Sequence, residues 1–475
     1  MYKNNQILMN QVFYMKLYFL NFFLIFLPFV LVGQGYYNQE NFGNRSILLS
    51  GNVTGSVEDL GLTYYNPARI ALVENPVFSI NAKAYQYSTV NLKNVFGRED
   101  KLGDSSFDEV PSLVAGTFNI DKWKNHYFAY AFISKLRSKA SINVTKEIKS
   151  VDLIDDLAEL DRFTADLSLE NKETDEWFGV TWGTKLKDNL SVGISAFASI
   201  YNYKNNYDLS YSTLDQLQSV NLYNNEVNIS QSSYGMFWKV GLAWKLKKFE
   251  LGLNIDLPYL EVYNSGKFRY QQFLSGTEND IYKFIDFNNI ESKRKEPLGL
   301  SFGAGYPFGK HKIHMKVDWH AKLLEYDRLV IPQVPGITDD ITFKEERRSI
   351  FNIGMGVEFY LNEKWNLYGS ISTDFSPLKA NANIFDLIGD EDEDVNFGAN
   401  YYHFGFGVDL KLKRVNLILG STFSTGTDKF GQPVEFPELN VKFPENDDPS
   451  QITATRWRFI IGLEIPIFGY DLEFK

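Results

Sequence analysis

From Val77 onward the chain alternates apolar and polar residues with a period of two. In its last such run Trp457, Phe459, Ile461, Leu463, Ile465 and Ile467 alternate with Arg456, Arg458, Gly462 and Glu464. Successive side chains of a strand point to opposite faces, so this run has one wholly apolar face and one face of charge and glycine. The pattern recurs at 249–257, 312–323, 351–359 and 403–412. A helix would need apolar residues at i, i+3 and i+4, which these runs lack. The runs are about 9 to 15 residues long, the length that crosses a bilayer as a tilted strand.

The connections alternate as strictly as the residues. Short polar turns sit at 121–125, 187–189, 247–248, 308–311, 362–364 and 413–414. Long ones sit near 89–110, 141–174, 205–230, 264–294, 325–346, 377–399 and 425–453. All long connections then lie at one end, which a soluble sandwich does not require and an outer-membrane barrel does. Fourteen strands result, near 77–88, 111–119, 125–140, 175–186, 189–204, 231–246, 249–263, 296–307, 312–324, 347–361, 364–376, 400–412, 415–424 and 454–468. An even number brings both termini to the periplasmic side. The expected fold is all-β, a transmembrane antiparallel barrel of about 14 strands. In the strand at 125–140, Phe128, Tyr130 and Phe132 compete with Tyr127, Ala129 and Ala131 for the outer face.

Composition narrows the function. The formal net charge is −11, which argues against nucleic acid as a partner, and there is no cysteine for a disulfide or thiolate site. Aromatic residues make up 16% of the chain, as the girdles of a membrane barrel require. Lys16 precedes an apolar run, 17–33, and Gly33-Gln34-Gly35 offers a small-x-small cleavage site. Residues 1–35 are therefore expected to be a signal peptide, with Met15 an alternative start.

The stretch 51–84 precedes and enters the first strand. It holds Glu58-Asp59, then Asn66-Pro67-Ala68, then Asn75-Pro76, and each Asn-Pro favours a turn. With its position between a signal sequence and a run of amphipathic strands, this stretch resembles the N-terminal region of FadL-type outer-membrane proteins, the family of the toluene-transport channels. The resemblance implies that residues 36–76 form a plug inside a barrel of residues 77–475, with Asn66, Pro67 and Ala68 as the plug motif. It also implies uptake of hydrophobic small molecules, such as long-chain fatty acids, across the outer membrane of a Gram-negative bacterium. A similar Asn-Pro-Ala occurs in the PorV-like subunits of the type IX secretion system. The alternative is thus a barrel serving as a platform for secretion-system subunits.

No catalytic constellation, metal motif or cofactor motif stands out. The five histidines do not match zinc spacings, and Gly354 and Gly356 lie in mid-strand, where they make room in the lumen. The acidic runs 390–394 and 445–448 could hold Ca²⁺ but lack a glycine-spaced ligand pattern. The leucines of 150–173 suggest a short amphipathic helix over the barrel mouth. The candidate lumen contacts for a substrate head group are Lys239, Lys316, His314, His403, Arg456 and Arg458. The partners expected are outer-membrane lipid and an apolar ligand, with the barrel monomeric.

Overall fold

The structure is a computed structural model that describes residues 37–38, 40–72, 77–93, 101–118, 120, 122–123, 125–149, 162–214, 220–275, 280–338, 343–378, 399–413, 415–430 and 450–466. The expected signal peptide, the second Asn-Pro and both acidic runs lie outside these residues.

Six strands come first: β1 (Val77–Lys93), β2 (Lys101–Phe118), β3 (His126–Lys149), β4 (Arg162–Lys187), β5 (Leu190–Leu214) and β6 (Val220–Lys245). The next six are β7 (Glu250–Asp256), β8 (Leu260–Ser275), β9 (Ile281–Ile290), β10 (Gly299–Phe308), β11 (His311–His320) and β12 (Leu323–Leu329). The last six are β13 (Phe343–Arg347), β14 (Ile350–Asn362), β15 (Trp365–Asp374), β16 (Asn400–Lys411), β17 (Asn416–Phe430) and β18 (Ser450–Pro466). All ladders are antiparallel, and β1 pairs with β18 while β5 pairs with β6, so the sheet closes on itself. β7 and β8 both pair with β6 and are two halves of one barrel strand. β9 and β10 are two halves of the next. β12 and β13 form a separate hairpin. The barrel therefore has 14 strands, as the alternation predicts.

The strands run much further than their apolar pattern. β4 has 26 residues, roughly 85 Å of strand at about 3.3 Å per residue, where a bilayer needs about 10 residues. Much of 141–174, 205–230 and 264–294, read from the sequence as loops, is paired strand. Above the bilayer both faces of a strand can be polar, so period-two hydrophobicity fades while the backbone ladder continues. The helix expected within 150–173 is likewise replaced over 162–173 by β4. In β3 the competition resolves cleanly. Tyr130 and Phe132 face out, and Ala129 and Ala131 are buried inside.

The outer surface carries an aromatic band at each end, and the zone between them mixes aliphatic side chains with phenylalanines such as Phe302, Phe404, Phe406 and Phe459. Phe118, Trp123, Trp244, Phe249, Tyr306, Phe308, Phe359 and Trp365 are exposed beside the short turns. About ten residues up their strands, Tyr87, Tyr234, Phe351, Tyr402 and Trp457 are exposed in turn. Leu242, Met315, Val317, Ile353, Met355, Ile371, Leu419, Ile461 and Leu463 fill the zone between. Amphipathic aromatic rings belong at the two lipid–water interfaces and aliphatic groups at the hydrocarbon.

The described core lies between the inner wall and the segment preceding β1. That segment has short helices at Asn44–Leu48 and Leu62–Tyr65 and a 3₁₀ turn at Pro67–Ala71. Leu48, Val53, Val57 and Leu62 are buried with Tyr368, Ile418 and Ile460 of the wall. Phe42 and Leu60 are buried with Leu113, Trp177 and Phe197.

Candidate functional site: a charged lumen cavity beside the N-terminal segment

The Asn-Pro-Ala motif forms a clasp. Asn66 caps the 3₁₀ turn by accepting from the Ala68 amide at 3.1 Å, and Pro67 occupies the first turn position, where no donor is needed. The sequence reading gave a turn here, and the chain instead begins a helical turn. Asn66 Nδ2 donates to the Thr54 carbonyl at 2.8 Å and to the Leu242 carbonyl of β6 at 3.1 Å. Ser191 of β5 donates to the Ala68 carbonyl at 2.8 Å. This close approach needs glycine on the wall. A Cβ at Gly193 would lie 2.6 Å from the Pro67 carbonyl carbon, and one at Gly303 would lie 2.5 Å from the Gly55 amide. Gly354, by the same measure, faces Asn52, as expected for a residue that makes room in the lumen.

Ion pairs fix the segment at the short-turn end. Arg69 meets Glu250 at 3.2 Å, Lys312 bridges Glu58 and Glu250 at 2.5 and 3.1 Å, and Arg45 reaches Glu58 at 3.7 Å and Glu464 at 3.5 Å. Burial pushes the Glu58 carboxyl up, but Lys312 and then Arg45 outweigh it and bring the pKa down to about 2. On the opposite side of the segment, the amides of Tyr37 and Asn38 both donate to Asp374, each at 3.1 Å.

Above the segment lies a cavity of about 230 Å³. It is lined by Tyr37, Tyr64 and Tyr65 of the segment, by Trp177, Tyr201 and Phe237, and by Arg294, Glu296, Glu345 and Arg347. Ion pairs hold the lining. Lys239 pairs with Asp256 at 2.6 Å, Lys316 with Asp318 at 2.7 Å and Arg294 with Asp175 at 2.7 Å. Arg347 pairs with Glu296 at 2.6 Å and with Glu345 at 2.5 Å, and Arg328 lies 3.6 Å from Glu345.

Of the six candidate head-group contacts, only Lys239 and Lys316 line this cavity, and both are already paired. His314 hydrogen-bonds Ser56 of the segment at 2.7 Å, and His403 bonds Ser424 at 2.7 Å. Arg456 and Arg458 both hold Glu40, the first at 3.4 Å. These four tie wall to segment or wall to wall. Sequence reasoning missed Lys135, Glu173, Arg294 and Arg347, which do line the cavity. The basic run Lys293-Arg294-Lys295 was the available signal for one of them.

Among the described residues the ladder between β2 and β3 is short. β2 pairs with β3 only from Leu113↔Ile133 to Phe118↔Phe128, and above that β2 stays with β1 while β3 stays with β4. A bulge between Ser134 and Leu136 marks the parting, and Lys135 at the bulge lines the cavity.

A closed 14-strand barrel with two aromatic bands and a cavity in its lumen defines a transmembrane β-barrel. Its fold is the FadL type. A FadL homologue from Pseudomonas aeruginosa is similar over 92% of this chain and 100% of its own, with a TM-score of 0.58 at 10% identity. The toluene transporter TodX of P. putida is similar over 91% of this chain and 100% of its own, with a TM-score of 0.54 at 10% identity. No family model matches the chain. A biosynthetic arginine decarboxylase of Prochlorococcus marinus (strain MIT 9301) is 28% identical over 179 residues, 37% of this chain. The chain spans 22% of that relative's length, and so short a match carries no activity across.

Proposed function

We propose that this protein is an outer-membrane channel for small molecules with an apolar body, gated by residues 36–76 acting as a plug. The observation that carries the reading is the cavity, which is lined in part by that segment and, at Lys135, by the bulge where β2 and β3 part. A molecule entering from outside would rest on Tyr64 and Trp177 and, once the segment moves, leave through the parted wall or past the segment. The likeness to TodX, a toluene transporter, supports passage of apolar compounds, and fatty acids have the same need for a path shielded from water. The deciding experiment is uptake by proteoliposomes. The intact protein is expected to exclude small polar solutes in swelling assays while admitting toluene or a labelled fatty acid. Deletion of residues 41–70, in a barrel that still migrates faster unheated than boiled on a denaturing gel, should open it to polar solutes. Equal swelling rates for the two proteins would remove the gate, and no uptake of either apolar probe would remove the transport reading.

A further inference from the structure

β3, β4, β5, β6 and β8 stay paired beyond the aromatic band remote from the short turns, and a row of lysines crosses the sheet they form there. Lys139 is opposite Lys172, and Lys172 is opposite Lys204. Lys204 is opposite Ser230, and Ser230 is opposite Lys267. Residues directly opposite one another share a face of the sheet. That face is the outer one, because all four lysines are exposed while Tyr203, Asn205 and Phe268 beside them are buried inside. With strands about 4.8 Å apart, the row spans roughly 19 Å.

Like charges directly opposite one another destabilise a sheet. None of the four lysines forms an ion pair among the described residues, and the nearest acids on this face have other partners. Glu176 pairs with Arg137 at 2.5 Å, and Glu170 accepts from Asn206 at 3.0 Å. The chain as a whole is acidic, at −11, so the excess of cations is local. Its height is defined as well. Ser230 lies four residues beyond the exposed Tyr234 of the aromatic band, on the side away from the short turns. That is about 13 Å of strand, or roughly 10 Å above the band at the tilt of barrel strands. This is the level of lipid headgroups, and the flexible lysine stem lets its ammonium follow them.

We propose that this row docks the phosphates of an outer-leaflet lipid with a phosphorylated sugar headgroup, the class that faces outwards in a Gram-negative outer membrane. The inference rests on the outer-membrane placement in the channel reading above and adds a lipid partner to it. Opposed lysines, about 5 Å apart at the backbone, can share one phosphate between two ammonium groups. Lys139, Lys172 and Lys204 supply that cluster, and Lys267 supplies a further contact for a headgroup with two phosphates. The acyl chains then run down the exposed Phe178, Val180 and Ile200 below the row.

The test measures binding of fluorescent bisphosphorylated lipid A to the purified barrel in nonionic detergent, against the same lipid with both phosphates removed. The intact barrel is expected to prefer the phosphorylated form by about tenfold or more, and the preference should shrink as salt is raised. The quadruple variant Lys139→Gln, Lys172→Gln, Lys204→Gln, Lys267→Gln should bring the preference to near one. All four side chains are exposed, and the fast-migrating band on a denaturing gel reports that the variant folds. The control is Lys185→Gln, Lys187→Gln, Lys247→Gln, Lys248→Gln, four lysines exposed beside the short turns, which should keep the preference. No preference in the intact barrel, or the same preference in both variants, overturns the inference. Displacement of the lipid by inorganic phosphate alone would assign the row to a free anion and overturn it as well. A barrel that shows the preference but admits neither toluene nor a fatty acid keeps this inference and loses the channel reading.

Discussion

Asn66 Nδ2 donates to the Leu242 carbonyl of β6, at 3.1 Å, and so joins the N-terminal segment to the wall. The same side chain caps the following turn and bonds the Thr54 carbonyl. Asn66→Ala should therefore cost about 2–3 kcal/mol, from one lost cap and carbonyls left without a donor. The expected readout is a lower temperature for loss of the fast-migrating band on a denaturing gel, together with faster swelling of proteoliposomes. Wild-type behaviour in both would mean that the clasp does not hold the segment.

Gly303 should tolerate no side chain. Its added Cβ would meet the backbone of Gly55 at 2.5 Å, and neither strand nor segment can rotate that contact away. Gly303→Val should leave the barrel inserted but displace the segment, at a cost of about 1–3 kcal/mol. Gly369, where nothing lies within 4 Å of an added Cβ, provides the control, and Gly369→Val should not leak.

Ile461 is 44% exposed and its neighbour Ile460 is 1% exposed. Ile461→Lys puts a charge on the lipid face and should cost about 2–4 kcal/mol if it lies near the midplane. Since the chain has no cysteine, single cysteines at 457–465 can be labelled without background. A lipid-soluble thiol reagent should react at odd positions and spare even ones. Labelling without that period would refute the strand assignment.

Acid should loosen the plug. The Glu58 carboxyl is held at about 2, below its ordinary value of 4.5. A depressed carboxyl contributes its attachment fully above its ordinary value and loses it as the pH falls from there towards the lowered one. Solute leak should therefore rise as the pH falls from about 4.5 towards 2. Glu58→Gln should leak more at pH 7 and show a flatter rise. A profile identical to that of the wild type would exclude Glu58 from the latch.

The part of the fold that lipid dictates was legible in the sequence. Lipid demands an unbroken apolar face, so runs such as Trp457 to Ile465 announce themselves. Above the bilayer that demand ends, and the upper halves of β4 and β5 read as loop. The cavity was hidden for the same reason, because Glu173 lies in a stretch taken for a connection. Lys135 lies in β3, where aromatic residues at both parities obscure the face. Arg456 and Arg458 were placed correctly as inward-facing, but their partner Glu40 is more than 400 residues away along the chain and no periodicity reveals it.

The central claim is that the N-terminal segment fills the lumen and must move for passage. Ser50 of the segment and Ser370 of β15 have their hydroxyls 2.8 Å apart. Ser50→Cys with Ser370→Cys places two thiols there in a chain that has no others. Uptake by proteoliposomes holding this double variant should fall to the empty-vesicle level on oxidation and return on reduction. A disulfide that forms quantitatively while uptake continues unchanged would contradict the account.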